Sequence, residues 1–314
     1  MVKKVLITGG SGYLAGRIFN AMSSKYDSYL VTRNSSLSRF IPDEKLILSD
    51  WNDFRSIEDI LPSVDVIIHT AGMNAKNSGE QPFNAYQINL MQTAKLVDLC
   101  VKYPKKKIIY FSTAHVYGSP LEGTVDESML TANLHPYAAS HKAAEDYILF
   151  HSHQNKLNAV IVRLSNTFGA PLLPETDCWA LLVNDLCKQA VLSDKLVLRS
   201  DGMTERDFIS MSEVLNAMEW VINDDSLTHL LCNLGGDWAV SVWELANLIK
   251  DLAEERLNKK LTLERLAPHP DAKISKLKYS IEKIKSLGYL PHKDKVPEIY
   301  ELIDYCSQNF VKSS

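Results

Sequence analysis

Val5, Leu6, Ile7 and Thr8, four apolar or β-branched residues, run straight into a glycine cluster at Gly9, Gly10 and Gly12, and the amphipathic stretch Arg17 to Met22 follows. The order is strand, tight turn, helix. A phosphate site needs that order. Gly9 and Gly12 permit backbone conformations and close approaches that a Cβ would block, and the free N–H groups of the new helix then point at a pyrophosphate.

Further along, the same alternation repeats. Ser28 to Arg33 and Lys45 to Ser49 read as strands, with a polar loop at Asn34 to Ser38 between them. Asp65 to Ala71, Lys107 to Ser112 and Ala159 to Leu164 are short, nearly continuous apolar runs, the pattern of strands buried on both faces of a parallel sheet. Helical stretches at Pro82 to Lys102 and Tyr137 to His153 separate them. This is the rhythm of an α/β doubly wound parallel sheet, which takes its ligand at the carboxyl ends of the strands.

Beyond Gly169 the rhythm loosens. A helix is expected at Cys178 to Val191, a strand at Leu196 to Arg199, a helix at Ser212 to Ile222, and a return to the large sheet at Leu230 to Gly235. Ser241 and Glu244 form a capping box with Val240 and Leu245 as its hydrophobic staple, which predicts a helix start. The tail from Ile274 to Phe310 reads as two helices split by Gly288 and Pro291. The expected division is a dinucleotide domain over 1–168, joined by 212–236, and a smaller mixed α/β substrate domain over 169–211 and 237–314.

Composition excludes several classes. At 314 residues and 46% hydrophobic content the chain can bury a full core. A formal charge of -4, with no basic run longer than Lys105 to Lys107 after Pro104, argues against a nucleic-acid surface. No apolar stretch reaches the roughly 20 residues of a membrane span, and Met1 leads directly into a core strand, so a cytoplasmic protein without membrane contact is expected. Cys100, Cys178, Cys187, Cys232 and Cys306 lack metal-ligand spacing and read as reduced packing residues, with no metal expected.

Several motifs carry a resemblance. The glycine loop matches Thr-Gly-x-x-Gly-x-x-Gly, except that Ala15 holds the third glycine position and Gly16 comes one residue late. Ser112, Thr113, Val116, Tyr117 and Gly118 match Ser-Thr-x-x-Val-Tyr-Gly; Tyr137, Ser140 and Glu145 match Tyr-x-x-Ser-Lys-x-x-x-Glu, with His141 in the lysine position. Arg163, Asn166 and Gly169 match Arg-x-x-Asn-x-Tyr-Gly, and Arg206 to Ile209 follow. Over most of its length the chain resembles the extended short-chain dehydrogenase/reductases, NAD(P)-dependent epimerases and dehydratases of nucleotide sugars with a Rossmann-type sheet.

The resemblance implies roles for residues. Tyr137 is the acid/base, Thr113 orients the sugar hydroxyl, and His141 stands where lysine normally holds the nicotinamide ribose and favours the phenolate. Lys142 cannot substitute, because five residues along a helix point about 140° away whereas four return to the same face. Cofactor contacts carry over to Gly9, Gly12, Tyr13, Leu14, Arg33, Asn34, Asp50, Trp51, Ala71, Gly72 and Asn89, besides Tyr137 and His141. Relatives that use NAD carry an acid where Arg33 stands, so NADP is expected, with NAD as the alternative. Met73, His115, Asn166 and Arg206 are the substrate-side positions, arginine suiting a diphosphate through its bidentate fork.

Each residue also has a plainer reading. Arg33 can be a solvated arginine, Asp50 a cap for a short helix at Asn52 to Ile60, Arg206 a partner of Glu205 or Asp207, and His115 a hydrogen-bonded core histidine. Dehydratases of the family carry Asp-Glu where this chain has Ala114 and His115, which disfavours water loss. The expected activity is hydride transfer between nicotinamide and a nucleotide-linked sugar, as 4-keto reduction or C4 oxidation. The alternatives are an epimerase with tightly bound NAD and a non-catalytic dinucleotide-binding regulator. A homodimer through the segments Pro82 to Lys102 and Tyr137 to His153 is also expected from the resemblance.

Overall fold

Strand β1 (Lys4–Thr8) lies inside a sheet because it has no face to offer water: Val5, Leu6, Ile7 and Thr8 are all fully buried. In this computed structural model, which describes residues 2–103, 106–268, 276–292 and 295–311, β1 is joined by β2 (Asp27–Thr32), β3 (Leu46–Leu48), β4 (Val66–His69) and β5 (Lys107–Thr113). The seven-stranded order is Leu230–Leu234, Asn158–Leu164, β5, β4, β1, β2, β3. All pairings from β3 to Asn158–Leu164 are parallel. The chain winds outward from β1 to β3 and then restarts on the other side at β4, so the strand order reverses between β1 and β4, where an open α/β sheet binds its ligand.

Helix α1 (Tyr13–Met22) buries Ala15, Ile18, Phe19 and Met22, the i, i+3, i+4, i+7 face of a helix packed on a sheet. The stretch Pro82 to Lys102 is helical throughout, but its middle, Tyr86–Gln92, widens into a π-helix between the α-helical Pro82–Ala85 and Thr93–Lys102. Helix Pro136–His153 follows β5, and its Ala144 and Ile148 share a core with Leu6, Ile67, Leu96, Ile108 and Ile161.

The chain divides into two compact units, Met1–Ser119 with Leu130–Leu164 and Met218–Cys232, and Pro120–Met129 with Ser165–Ala217 and Asn233–Ser314. The second has its own core, with Phe168, Leu186, Phe208, Leu245, Ile249 and Leu302 among its buried residues. Its main sheet runs Ala239–Ser241, Glu205–Ser210, Asn166–Phe168. The capping box forms as expected: Glu244 N donates to Ser241 Oγ at 3.1 Å and Ser241 N to Glu244 Oε2 at 3.0 Å, opening helix Val242–Leu257.

Some expectations fail for local reasons. Residues 120–129 do not stay with the first unit, because Gly123–Val125 pairs in parallel with Leu277–Tyr279, two strands too short to show a period. The helix expected from Cys178 starts at Leu182, since Cys178 and Leu181 are tied into separate turns through Thr176 O and Cys178 O. The loop from Asn34 is a 3₁₀ helix, Ser35–Arg39, because Asn34 Oδ1 caps Ser36 N at 3.0 Å and Leu37 is buried beneath it. The short helix starts at Arg55 rather than Asn52, as Asp53 Oδ1 accepts from Arg55 N at 3.0 Å. The tail helices are Glu282–Ser286 and Val296–Phe310; Pro104, Lys105 and Ile274 lie outside the described residues.

Candidate active site

The glycine loop takes the shape its composition allows. Gly9 has φ +86°, and a Cβ there would stand 2.9 Å from the backbone of Ala71. Gly12 N donates to Gly9 O at 2.7 Å, closing the turn, and Gly12 then caps α1 without a side chain over the helix N-terminus. With no side-chain cap at Gly12, the positive end of the α1 dipole faces out of the loop, where an anion is favoured. Tyr13 and Leu14 are half-buried at that end.

Around the carboxyl ends of β4 and β5 the side chains form a linked set. His69 Nδ1 lies 2.7 Å from Thr8 Oγ1 and its Nε2 lies 2.9 Å from Thr93 Oγ1. Thr93 donates its hydroxyl proton to Asn89 O at 2.7 Å, so His69 carries its proton on Nε2. Burial pushes His69 down to about 3, and it is neutral at physiological pH. Asn89, fully buried within the π-helical turn, accepts from Met73 N at 2.7 Å and donates to Ser140 Oγ at 2.9 Å. Its amide is committed to holding residues 72 and 73 against helix Pro136–His153.

Thr113 and Tyr137 are hydrogen-bonded through their side chains. Thr113 ends β5 and caps the 3₁₀ turn Ala114–Val116 by accepting from His115 N at 3.2 Å; Tyr137 sits in the first turn of Pro136–His153. The ring of His141 lies edge-on to Tyr137 with centroids 4.7 Å apart, and His115 lies 6.4 Å away on a different side chain contact with the same phenol ring. Burial raises the Tyr137 phenol above its ordinary value, with the Thr113 hydrogen bond opposing it. Burial lowers His141 to about 4, so no cation stands beside the phenol at neutral pH. Lys142 supplies none, since it is bonded to Asp146 on the outer face of the helix.

A buried ion pair holds this corner. Arg163 donates to Glu145 through Nε at 3.0 Å and Nη2 at 2.6 Å, and Ser112 Oγ donates to Glu145 Oε1 at 2.5 Å. Burial alone would lower Arg163, but the bonds and charge of Glu145 outweigh it and raise the guanidinium. Three elements are thereby fixed beside Thr113: β5, helix Pro136–His153 and strand Asn158–Leu164.

The remaining positions are placed as follows. Arg33 is exposed and makes no hydrogen bond or ion pair among the described residues, next to Asn34, which caps the 3₁₀ turn. Asp50 Oδ1 accepts from Asn52 N and Asp53 N at 2.9 Å, so it closes a turn and does not cap the helix. Trp51 takes φ 64° and lies 5.9 Å from the His69 ring. Ala71 and Gly72 follow β4, with Gly72 exposed. In the second unit, Asn166 Nδ2 donates to Asp207 O at 2.9 Å. Arg206 pairs with neither neighbour: Glu205 is held by Lys276 and Leu277 N, and Asp207 by Gly236 N and Trp238 N. Arg206 is an exposed residue without a protein partner among the described residues, and partial burial of its guanidinium lowers its pKa from the ordinary value.

Sequence reasoning missed Tyr110, His69 and the π-helical turn. A histidine or tyrosine inside an otherwise apolar strand was the available signal, because a buried polar group must find a partner.

Residues 5–235 match the model of the NAD dependent epimerase/dehydratase family. The chain belongs to that family. Relatives agree along almost the whole length. A human dTDP-D-glucose 4,6-dehydratase is 26% identical over 98% of this chain and 91% of its own, and a UDP-glucose 4-epimerase of Azospirillum brasilense is 24% identical over 94% and 89%. A solved UDP-glucuronic acid 4-epimerase from Bacillus cereus, in complex with UDP-glucuronic acid and NAD, superposes with TM-score 0.80 at 21% identity, covering 98% of this chain and 100% of that one. At that identity the likeness is one of fold.

Measured against this epimerase/dehydratase fold, the chain's own residues fit a dinucleotide. Gly9 lets the loop pack against the Ala71 backbone where a Cβ would clash, Gly72 is exposed beside the His141 ring, α1 opens without a side-chain cap, and His141 Nε2 has no partner among the described residues.

Proposed function

We propose that this chain is an NADP(H)-dependent oxidoreductase that reduces a keto group, at C4 by preference, on a nucleotide-linked sugar. The observation that carries the reading is the hydroxyl pair Thr113 and Tyr137 beside an uncharged His141. The dinucleotide, when bound, supplies the hydride. Tyr137 supplies the proton to the developing sugar oxygen, and Thr113 orients that oxygen and steadies the phenol. A phenol with a raised pKa and no cationic neighbour stays protonated at neutral pH, which is the form reduction needs; oxidation needs the phenolate. Arg33, free and exposed with no acid beside it, suits a 2′-phosphate. Within the second unit, Arg206, free of Glu205 and Asp207, suits a phosphate group, with Asn166 on the next strand.

A second reading is epimerisation through a transient ketone with NAD retained. The similarity to the UDP-glucose 4-epimerase of A. brasilense favours it. Turnover separates the two: NADPH consumption with UDP- or dTDP-linked 4-keto sugars supports reduction, whereas interconversion of 4-hydroxy sugars without added NADPH supports epimerisation. In either case Tyr137→Phe should lower the rate by about 10²- to 10⁴-fold while cofactor affinity changes little. A variant as fast as the parent would move the acid elsewhere, with His115 the first residue to examine.

A further inference from the structure

His141 stands where the family pattern has lysine, and its ring is tied from behind. We propose that Tyr110 is a positioning residue that holds His141 in the tautomer protonated on Nε2, so that His141 offers a neutral N–H donor to a ribose hydroxyl of the dinucleotide. The ribose contact rests on the oxidoreductase reading above. The tautomer does not.

Tyr110 lies in β5 with its side chain buried, and its hydroxyl is 2.7 Å from His141 Nδ1, the one hydrogen bond that either side chain makes among the described residues. Two proton arrangements share that contact. If Nδ1–H donated, the phenol proton of Tyr110 would be buried without an acceptor, which is the costly outcome for a hydroxyl out of water. If Tyr110 donates, every buried proton has a partner, and the ring's own proton must sit on Nε2. That edge lies against the exposed Gly72, just after β4: a Cβ there would stand 3.7 Å from Nε2 and 3.6 Å from Cε1.

The surroundings leave the ring neutral. Facing it are Tyr110 from β5, Tyr137 from its own helix and, beyond Tyr110, His69 from β4. Glu145, one helical turn along, is taken up by Arg163 and Ser112, so no carboxylate is free to hold a second proton on the imidazole. Burial acts in the same direction. A lysine ammonium has no tautomers and needs no such partner. The tyrosine is therefore required only because position 141 is histidine, and the two residues should be energetically coupled.

Two measurements test this. In protein labelled with ¹⁵N-histidine and free of cofactor, long-range ¹H–¹⁵N correlation near pH 7.5 should show a pyridine-like Nδ1 and a pyrrole-like Nε2 for His141, assigned by loss of the signals in His141→Gln. Tyr110→Phe should move both toward the mixed values of a free imidazole. A pyrrole-like Nδ1 in the parent, or an unchanged tautomer in Tyr110→Phe, overturns the proposal. Calorimetric titration with NADPH then tests the ribose contact: Tyr110→Phe should weaken binding by about fivefold in the parent, on the scale of one hydrogen bond, and by less than about twofold in a His141→Lys background. Equal weakening in both backgrounds would make Tyr110 a packing residue and overturn the coupling. A parent that binds neither NADPH nor NADH would remove the oxidoreductase reading and the ribose contact with it, while the tautomer is decided by the spectra alone.

Discussion

At the scale of single residues, two buried histidines and one exposed arginine carry chemistry that titration and binding can read. His69 and His141 fold as neutral rings, lowered to about 3 and about 4 from an ordinary value near 6.5. Their depressed values mean that the unfolded chain binds more protons than the folded one as pH falls below about 6.5, so stability is complete above that pH and drains away on acidification. Each ring contributes at most about 1.4 kcal/mol per pH unit across this window. Chemical denaturation of the cofactor-free protein between pH 7 and pH 4.5 should show that loss, with a shallower slope in His141→Gln. A slope unaltered by the substitution would mean that His141 is protonated in the folded state. Arg33 tests the cofactor. NADPH should bind more tightly than NADH, and Arg33→Asp should reverse the order, because a carboxylate repels a 2′-phosphate and accepts from a 2′-hydroxyl. Calorimetric affinities that are equal in the parent and unmoved by the substitution would take Arg33 out of the site.

Elements, rather than residues, place Thr113 beside Tyr137, and the bond among them is the pair Arg163 and Glu145. Both side chains are almost wholly buried, at 4% and 0% exposure, so removing one partner strands a charge in the interior. Arg163→Met should cost about 3 to 5 kcal/mol, and adding Glu145→Gln should recover part of it. Denaturant titration of the single and double variants measures both; a single variant as stable as the parent would show that the pair does not hold the corner. Elements differ in how plainly the sequence marks them. The strands β1, β4, β5 and Asn158–Leu164 announce themselves by unbroken apolar runs, since burial on both faces leaves no alternation to misread. The π-helical turn at Tyr86–Gln92 left no such mark, because its cause is tertiary: Asn89 is drawn inward to bind Met73 and Ser140 across two other segments. The three-residue strands Gly123–Val125 and Leu277–Tyr279 were equally silent, as pairing between residues some 150 positions apart follows from packing and not from local pattern.

For the whole molecule, the family pattern points to Tyr137, Thr113 and His141, and the chemistry of their surroundings sets which protons they can hold. Tyr137, Thr113 and His141 were legible from motif spacing, and the structure brings them together at the ends of β5 and Pro136–His153. The protonation of His141, which Tyr110 and burial determine, could not be read from a tyrosine that looked like one more apolar strand residue. The plainer reading of Arg206 fell for a similar reason, since only the fold shows Glu205 and Asp207 already taken by backbone amides and Lys276. The central claim is that a hydride reaches a sugar carbon while Tyr137 delivers the proton. NADPH deuterated at its transferable position, incubated with the protein and a UDP- or dTDP-linked 4-keto sugar, tests it most directly. Mass spectrometry of the product should find a deuterium on the sugar with the parent, accumulating about 10²- to 10⁴-fold more slowly with Tyr137→Phe. A parent that binds NADPH yet leaves every such sugar unlabelled would contradict the account.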